Sequence, residues 1–112
     1  MTVYVKKGDC VWTPDYAAKD MVDHFAPSGK ILEPCYGSGN IYKYLPVGSE
    51  WCEISKGSDF YDYTKKVDWI VTNPPFSHFS KFIKHGLTLS ENSVWLLPTW
   101  KIFSGFGMLK EI

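Results

Sequence analysis

The sequence predicts a three-layer α/β domain, a mostly parallel sheet of about five strands with helices packed on its faces. Three observations carry this. Strand-like and helix-like apolar patterns alternate along most of the chain. A glycine-rich turn, Gly37-Ser38-Gly39, follows one short apolar run directly, and the rigid turn Asn73-Pro74-Pro75-Phe76 follows another. Turns of this kind at strand ends are where open α/β sheets place their ligand crevice.

The elements follow in order. Thr13-Pro14-Asp15 supplies a capping hydroxyl, a proline suited to the first helical position and an early acid. A helix is therefore expected, with Ala17, Ala18, Met21, Val22 and Phe25 on one apolar face and Pro27-Ser28-Gly29 as its stop. Lys30 to Pro34 reads as a short strand entering the glycine turn. Ile41, Tyr44 and Leu45 predict a short helix over Asn40 to Leu45, ended by Pro46 and Gly48. Glu50 to Ile54 reads as a second strand, Ser58 to Tyr61 as strand or loop, and Val67 to Thr72 as a buried strand. Phe79, Phe82, Ile83 and Leu87 give a helical stripe, and Ser93 to Pro98 a further strand. From Thr99 to Ile112 no period stands out, and that segment is left open.

With 112 residues, 45% hydrophobic and 17% aromatic, the chain suits a single globular domain around one core. Twelve basic residues balance twelve acidic ones, so no long-range field draws it to nucleic acid, and contact with DNA needs a local patch or a partner. Cys10, Cys35 and Cys52 lack the spacing of a zinc site or a disulfide framework. Reduced thiols imply a cytoplasmic protein, and the absence of a long apolar run or a signal-peptide core predicts that it is neither membrane-bound nor exported.

Four strand-end turns carry the chemistry. In Glu33-Pro34-Cys35-Tyr36-Gly37-Ser38-Gly39 the glycines allow close approach of a ligand, and a following helix start would favour its negative groups. Glu53, twenty positions past Glu33, is a carboxylate able to accept from both hydroxyls of a ribose. Asp59 could accept from an exocyclic amine while Phe60 packs beside a purine. In Asn73-Pro74-Pro75-Phe76 two prolines remove two donors and fix two φ angles, leaving a platform of acceptors. An amine attacked by a methyl sulfonium gains positive charge, so neutral acceptors such as the Asn73 oxygen and the Pro74 carbonyl favour the transition state over the ground state. Phe76 offers a face for a planar group.

These motifs, in this order and spacing, resemble the amino-methyltransferases that act on exocyclic nitrogens, above all the adenine-specific DNA methyltransferases of bacteria and phages. The resemblance runs from about Trp12 to Pro98. It implies a Rossmann-like methyltransferase fold with S-adenosylmethionine as cofactor. Glu33, Pro34, Cys35, Gly37 and Gly39 would cradle the methionine part, with Trp12, Thr13 and Pro14 closing over its carboxylate. Glu53 with Ile54 would meet the ribose, and Asp59 with Phe60 the adenine. Asn73, Pro74, Pro75 and Phe76 would be catalytic, Asn73 also facing the cofactor. The chain departs from the family at its C-terminus, where two further strands and a target-recognition region normally follow.

Taken singly, each feature has a plainer reading: a tight turn, a solvated acid, a core ring. The plainer readings must hold together at all four turns, which favours chemistry. His24, His78 and His85 lack a paired carboxylate, and no metal set is evident. Cys35 is read as a pocket wall, and Lys81, Lys84, Lys101 and Lys110 as a solvated face or phosphate contacts. The expected substrate is adenine in DNA; RNA adenine and a protein glutamine satisfy the same acceptor geometry. From another class, a catalytically incomplete cofactor-binding or partner subunit also fits. The apolar edge Val94 to Leu97 predicts a homodimer or a partner subunit.

Overall fold

The structure, a computed structural model, describes the backbone of residues 3–5 and 10–97 and the side chains of residues 13–75 and 77–97. Four strands, β3 (Ile31–Glu33), β4 (Glu50–Trp51), β5 (Val67–Thr72) and β6 (Ser90–Trp95), form a sheet in the order β4-β3-β5-β6. Every pairing in it is parallel. A separate antiparallel hairpin joins β1 (Val3–Val5) to β2 (Cys10–Trp12).

Alternation along the strands divides the core. Ile31 and Val71 turn to one face, where Ala18, Met21 and Val22 of helix α1 (Asp15–Phe25) pack with Ile41 and Leu45. Leu32 and Ile70 turn to the other, where they meet Phe60, Cys52 and Leu89, the last residue of helix α2 (Phe79–Leu89). Period-two strands between period-3.6 helices thus give helix, sheet and helix, an α/β architecture with a parallel sheet.

The strand order fixes the site. The strand after β3 lies on one side of it, and the strand after that on the other, so connections leave the carboxyl ends of β3 and β5 in opposite directions. Such a switch point opens a crevice between the two ends. Glu33 closes β3 and Thr72 closes β5, one residue before Asn73.

Several expectations need correction. The described sheet has four strands rather than about five. The helix expected over Asn40 to Leu45 is one 3-10 turn, Tyr42–Tyr44, because six residues between a glycine turn and Pro46 are too few to repay helix nucleation. The second strand stops at Trp51, and Ile54–Lys56 is instead a 3-10 turn capped by the Glu53 side chain. Of the two readings of Ser58 to Tyr61, strand or loop, the loop holds, with a 3-10 turn at Phe60–Asp62 capped by Asp59. The last strand begins at Ser90 rather than Ser93, since its polar first half pairs with β5 from Val67↔Ser90 onward. Phe25, expected on the apolar face of α1, is 46% exposed. Pro98 and residues 99–112 lie outside the described residues.

Candidate functional site

At the switch point lies a shallow, partly open recess with about 240 Å³ of empty space, open solvent included. Its walls come from three stretches of chain: Thr13; Glu33 with Cys35, Tyr36, Gly37, Ser38, Asn40 and Ile41; and Asn73.

Glu33 is 1% exposed. Its Oε2 accepts from the Cys35 N–H at 3.1 Å, a bond the tight turn allows. Burial drives the Glu33 pKa up to about 8, against the smaller lowering by Thr72 and the Cys35 N–H, and nearby Glu53 raises it further. The Thr72 hydroxyl oxygen is buried without a hydrogen-bond partner and acts on Glu33 as a nearby dipole. A buried acid this reluctant to ionise is matched by a cation such as an ammonium, which restores the charged form.

The glycine turn is held from below. Gly37, at φ 57°, donates its N–H to Glu53 Oε1 at 2.7 Å, and Glu53 Oε2 accepts from the Ser55 hydroxyl at 2.9 Å. Gly39, at φ 84°, leaves room for Tyr36, whose hydroxyl would lie 2.7 Å from any Cβ added there. Tyr36 continues into an aromatic group: Trp51 with ring centroids 4.7 Å away, Tyr42 at 5.4 Å, and Lys56 Nζ 4.9 Å from its centroid.

Asn73 forms the third wall. It is 4% exposed, and its Nδ2 donates to Thr13 Oγ1 at 2.9 Å. Its Oδ1 is buried with no partner. Thr13 also accepts at its carbonyl from Asn40 Nδ2 at 2.7 Å. The hydroxyl expected to cap α1 is therefore engaged elsewhere: the helix is capped by Pro14, whose carbonyl takes the Ala17 and Ala18 N–H groups. Asp15 adds a second tie, its carboxyl held below the usual range by Lys43 at 2.5 Å and by the Tyr44 hydroxyl.

Of the residues singled out in the sequence, Thr13, Glu33, Cys35, Gly37 and Asn73 meet at this recess. Pro34, Gly39 and Pro74 are buried, and Pro14 and Pro75 half-buried, in the turns that hold it. Glu53 stands behind the turn rather than on the wall. Ile54 is 73% exposed and Asp59 accepts from the Tyr61 N–H, both outside the lining. Phe60, expected to face a purine, is 2% exposed and packs against Phe82 and His85 at 5.0 and 4.6 Å. Its ring therefore belongs to the core, held there by the apolar face of α2, and lacks a free face for a ligand. The anion-favouring helix start is also absent, because only a 3-10 turn follows the glycines. For Trp12 and Phe76 only the backbone is described, in β2 and in the 3-10 turn Phe76–His78.

Tyr36, Ser38, Asn40 and Ile41 line the recess without having been singled out. Asn40 carried a readable signal, an amide directly after the glycine turn, whereas Ile41 was legible only as core.

The fold and site thus define an α/β domain with a recess at its switch point whose lining includes one buried acid, Glu33. Comparison with protein-family models, with curated proteins and with solved structures found no match. Among the described residues no helix is long and apolar enough to cross a membrane, and no three His, Cys, Asp or Glu side chains gather as a metal set.

Proposed function

We propose that the domain, in a methyltransferase version of the Rossmann-like fold, moves a methyl group from S-adenosylmethionine to an exocyclic amino nitrogen, with adenine in DNA as substrate. The observation that carries this is the Asn73 Oδ1, a buried acceptor without a partner at the end of β5, beside the buried acid of Glu33. Leaving such an acceptor unmatched costs about 1–3 kcal/mol, a cost relieved when a ligand N–H arrives.

The residues fit the methionine end of the cofactor. Glu33 would hold its ammonium, the backbone of Gly37 and Ser38 would approach it closely, and Thr13 would stand at its carboxylate. The nucleoside end would extend past the recess toward Glu53, whose Oε2 is filled by the Ser55 N–H and hydroxyl and whose Oε1, accepting from Gly37, keeps one lone pair for a ribose hydroxyl. S-adenosylmethionine held there would supply an electrophilic sulfonium methyl; the accepting nitrogen would gain the methyl as the sulfur leaves as a thioether, and the proton released from nitrogen would pass to solvent. Asn73 Oδ1 would accept an N–H of that nitrogen as its charge grows, and the Pro74 carbonyl offers a second acceptor.

The adenine must leave its stack to reach this recess. The neutral chain gives no electrostatic pull toward DNA, so β6, an edge strand of the described sheet, is the place where a second copy or a partner subunit would add the missing surface.

The test is transfer of radiolabelled methyl to duplex DNA, single-stranded DNA, RNA and a protein extract, with Asn73→Ala as control. Label in DNA, reduced about 100-fold or more in the variant, is the expected result. Label confined to RNA or to protein would move the substrate to RNA adenine or a glutamine amide. Cofactor binding without transfer would replace the enzyme with a binding subunit.

A further inference from the structure

Thr13 stands sixty residues from Asn73 in sequence, and in the fold their side chains are bonded at 2.9 Å. We propose that Thr13 is a positioning residue: its hydroxyl fixes the Asn73 amide so that Oδ1, rather than the amide nitrogen, is the group left for a ligand. The inference rests on the reading of Asn73 as the acceptor for the reacting amine.

An asparagine amide has two nearly isosteric ends of opposite hydrogen-bonding character. Turned one way it accepts from an amine; turned the other it presents two N–H donors and opposes one. In the structure Nδ2 donates to Thr13 Oγ1, and Oδ1 is left without a partner. Reversed, Oδ1 would accept from the Thr13 hydroxyl proton and both N–H groups of Nδ2 would be buried without an acceptor, and orphaned donors are rarer than orphaned acceptors in buried sites. Thr13 thus engages one end of the amide, and the less costly orphan, Oδ1, is left at the other.

Thr13 is suited to this because it is itself held. Its carbonyl accepts from Asn40 Nδ2 at 2.7 Å, which ties it to the residue after the glycine turn. Pro14 behind it restricts its backbone to extended conformations. Thr13 lies one residue before the N-cap Pro14, so its hydroxyl is free of the helix and is given to the Asn73 amide.

The experiment compares wild type with Thr13→Val, which keeps the shape and removes the acceptor, and Thr13→Ser, which restores it. Folding is checked by circular dichroism, with Thr13→Ala replacing the valine variant if that fails to fold. In the free protein, the side-chain amide protons of Asn73, assigned by their loss in Asn73→Ala, are read by nuclear magnetic resonance. One of the pair is expected to be slow to exchange in wild type and Thr13→Ser and fast in Thr13→Val. This reading needs no catalysis. In methyl transfer, kcat should fall about tenfold or more in Thr13→Val and recover in Thr13→Ser. Unchanged amide exchange in Thr13→Val, or an equal kcat in Thr13→Val and wild type, overturns the inference. If wild type transfers no methyl at all, the functional reading falls by that result alone, and the amide exchange still decides whether Thr13 orients Asn73.

Discussion

Replacing Glu33 with glutamine should raise the stability of the domain at neutral pH while removing its charge for a ligand. The unfolded chain releases the Glu33 proton around the carboxylate value of 4.5, and the folded one holds it to about 8, chiefly because the carboxyl is buried. Between those values the native state binds more protons than the unfolded state, so stability falls as pH rises. The contribution is fully present below 4.5 and lost as pH passes through about 8. Each pK unit corresponds to about 1.4 kcal/mol, and with allowance for relaxation around the charge the loss by pH 8 is about 3 kcal/mol. Glutamine has no such titration. Its oxygen can keep the bond from the Cys35 N–H, and its amide group can donate to the Thr72 hydroxyl, which otherwise lacks a partner. Urea unfolding of wild type and Glu33→Gln at pH 5, 6, 7 and 8 would measure this. The wild-type midpoint should fall across the series, the variant's should stay nearly level, and the two should differ most at pH 8. Parallel curves would refute the argument, since they would mean that Glu33 ionises without cost.

Gly86 sits on the face of α2 against β6, where an added Cβ would lie 2.6 Å from Trp95 Cζ2 and 3.2 Å from Ile70 Cδ1. Gly86→Ala gains about 1 kcal/mol of helix propensity but overpacks the core at about 1–3 kcal/mol. A net loss of about 1 kcal/mol, with an altered near-ultraviolet dichroism from Trp95, is expected, and a higher urea midpoint would contradict it. Gly39→Ala combines a left-handed backbone with a Cβ 2.7 Å from the Tyr36 hydroxyl, for a cost of about 1–3 kcal/mol. Because Tyr36 must swing away, ring-current shifts between Tyr36 and Trp51 should change; an unchanged aromatic spectrum would show that the turn yields instead.

Much of the frame was legible because its signals are local. Val67 to Thr72 is β-branched at four of its six positions and forms the strand as expected. The helix at Phe79–Leu89 follows its stripe, although Leu87 lies 41% exposed while Gly86 is buried. What escaped the sequence are choices made across the fold. Phe60 reads equally well as a ligand contact or as core, and only the arrival of α2 decides. Glu53 reads as a free carboxylate, yet the Gly37 N–H and Ser55 claim it. Thr13 reads as a cap, and its partner is a distant amide. Each side chain satisfies the local rule for one role and takes another because a long-range donor or apolar surface competes better.

The walls of the recess come from segments far apart along the chain, with Thr13 joined to Asn73 by a single bond. No contiguous peptide of this protein contains the site, so a molecule that binds there recognises the finished sheet and has no partly folded chain to hold. Its binding energy is therefore coupled to unfolding of the whole domain. Hydrogen exchange in a ligand's presence should accordingly slow at the most protected amides of β3 and β5, however far they lie from the molecule, together with those that touch it.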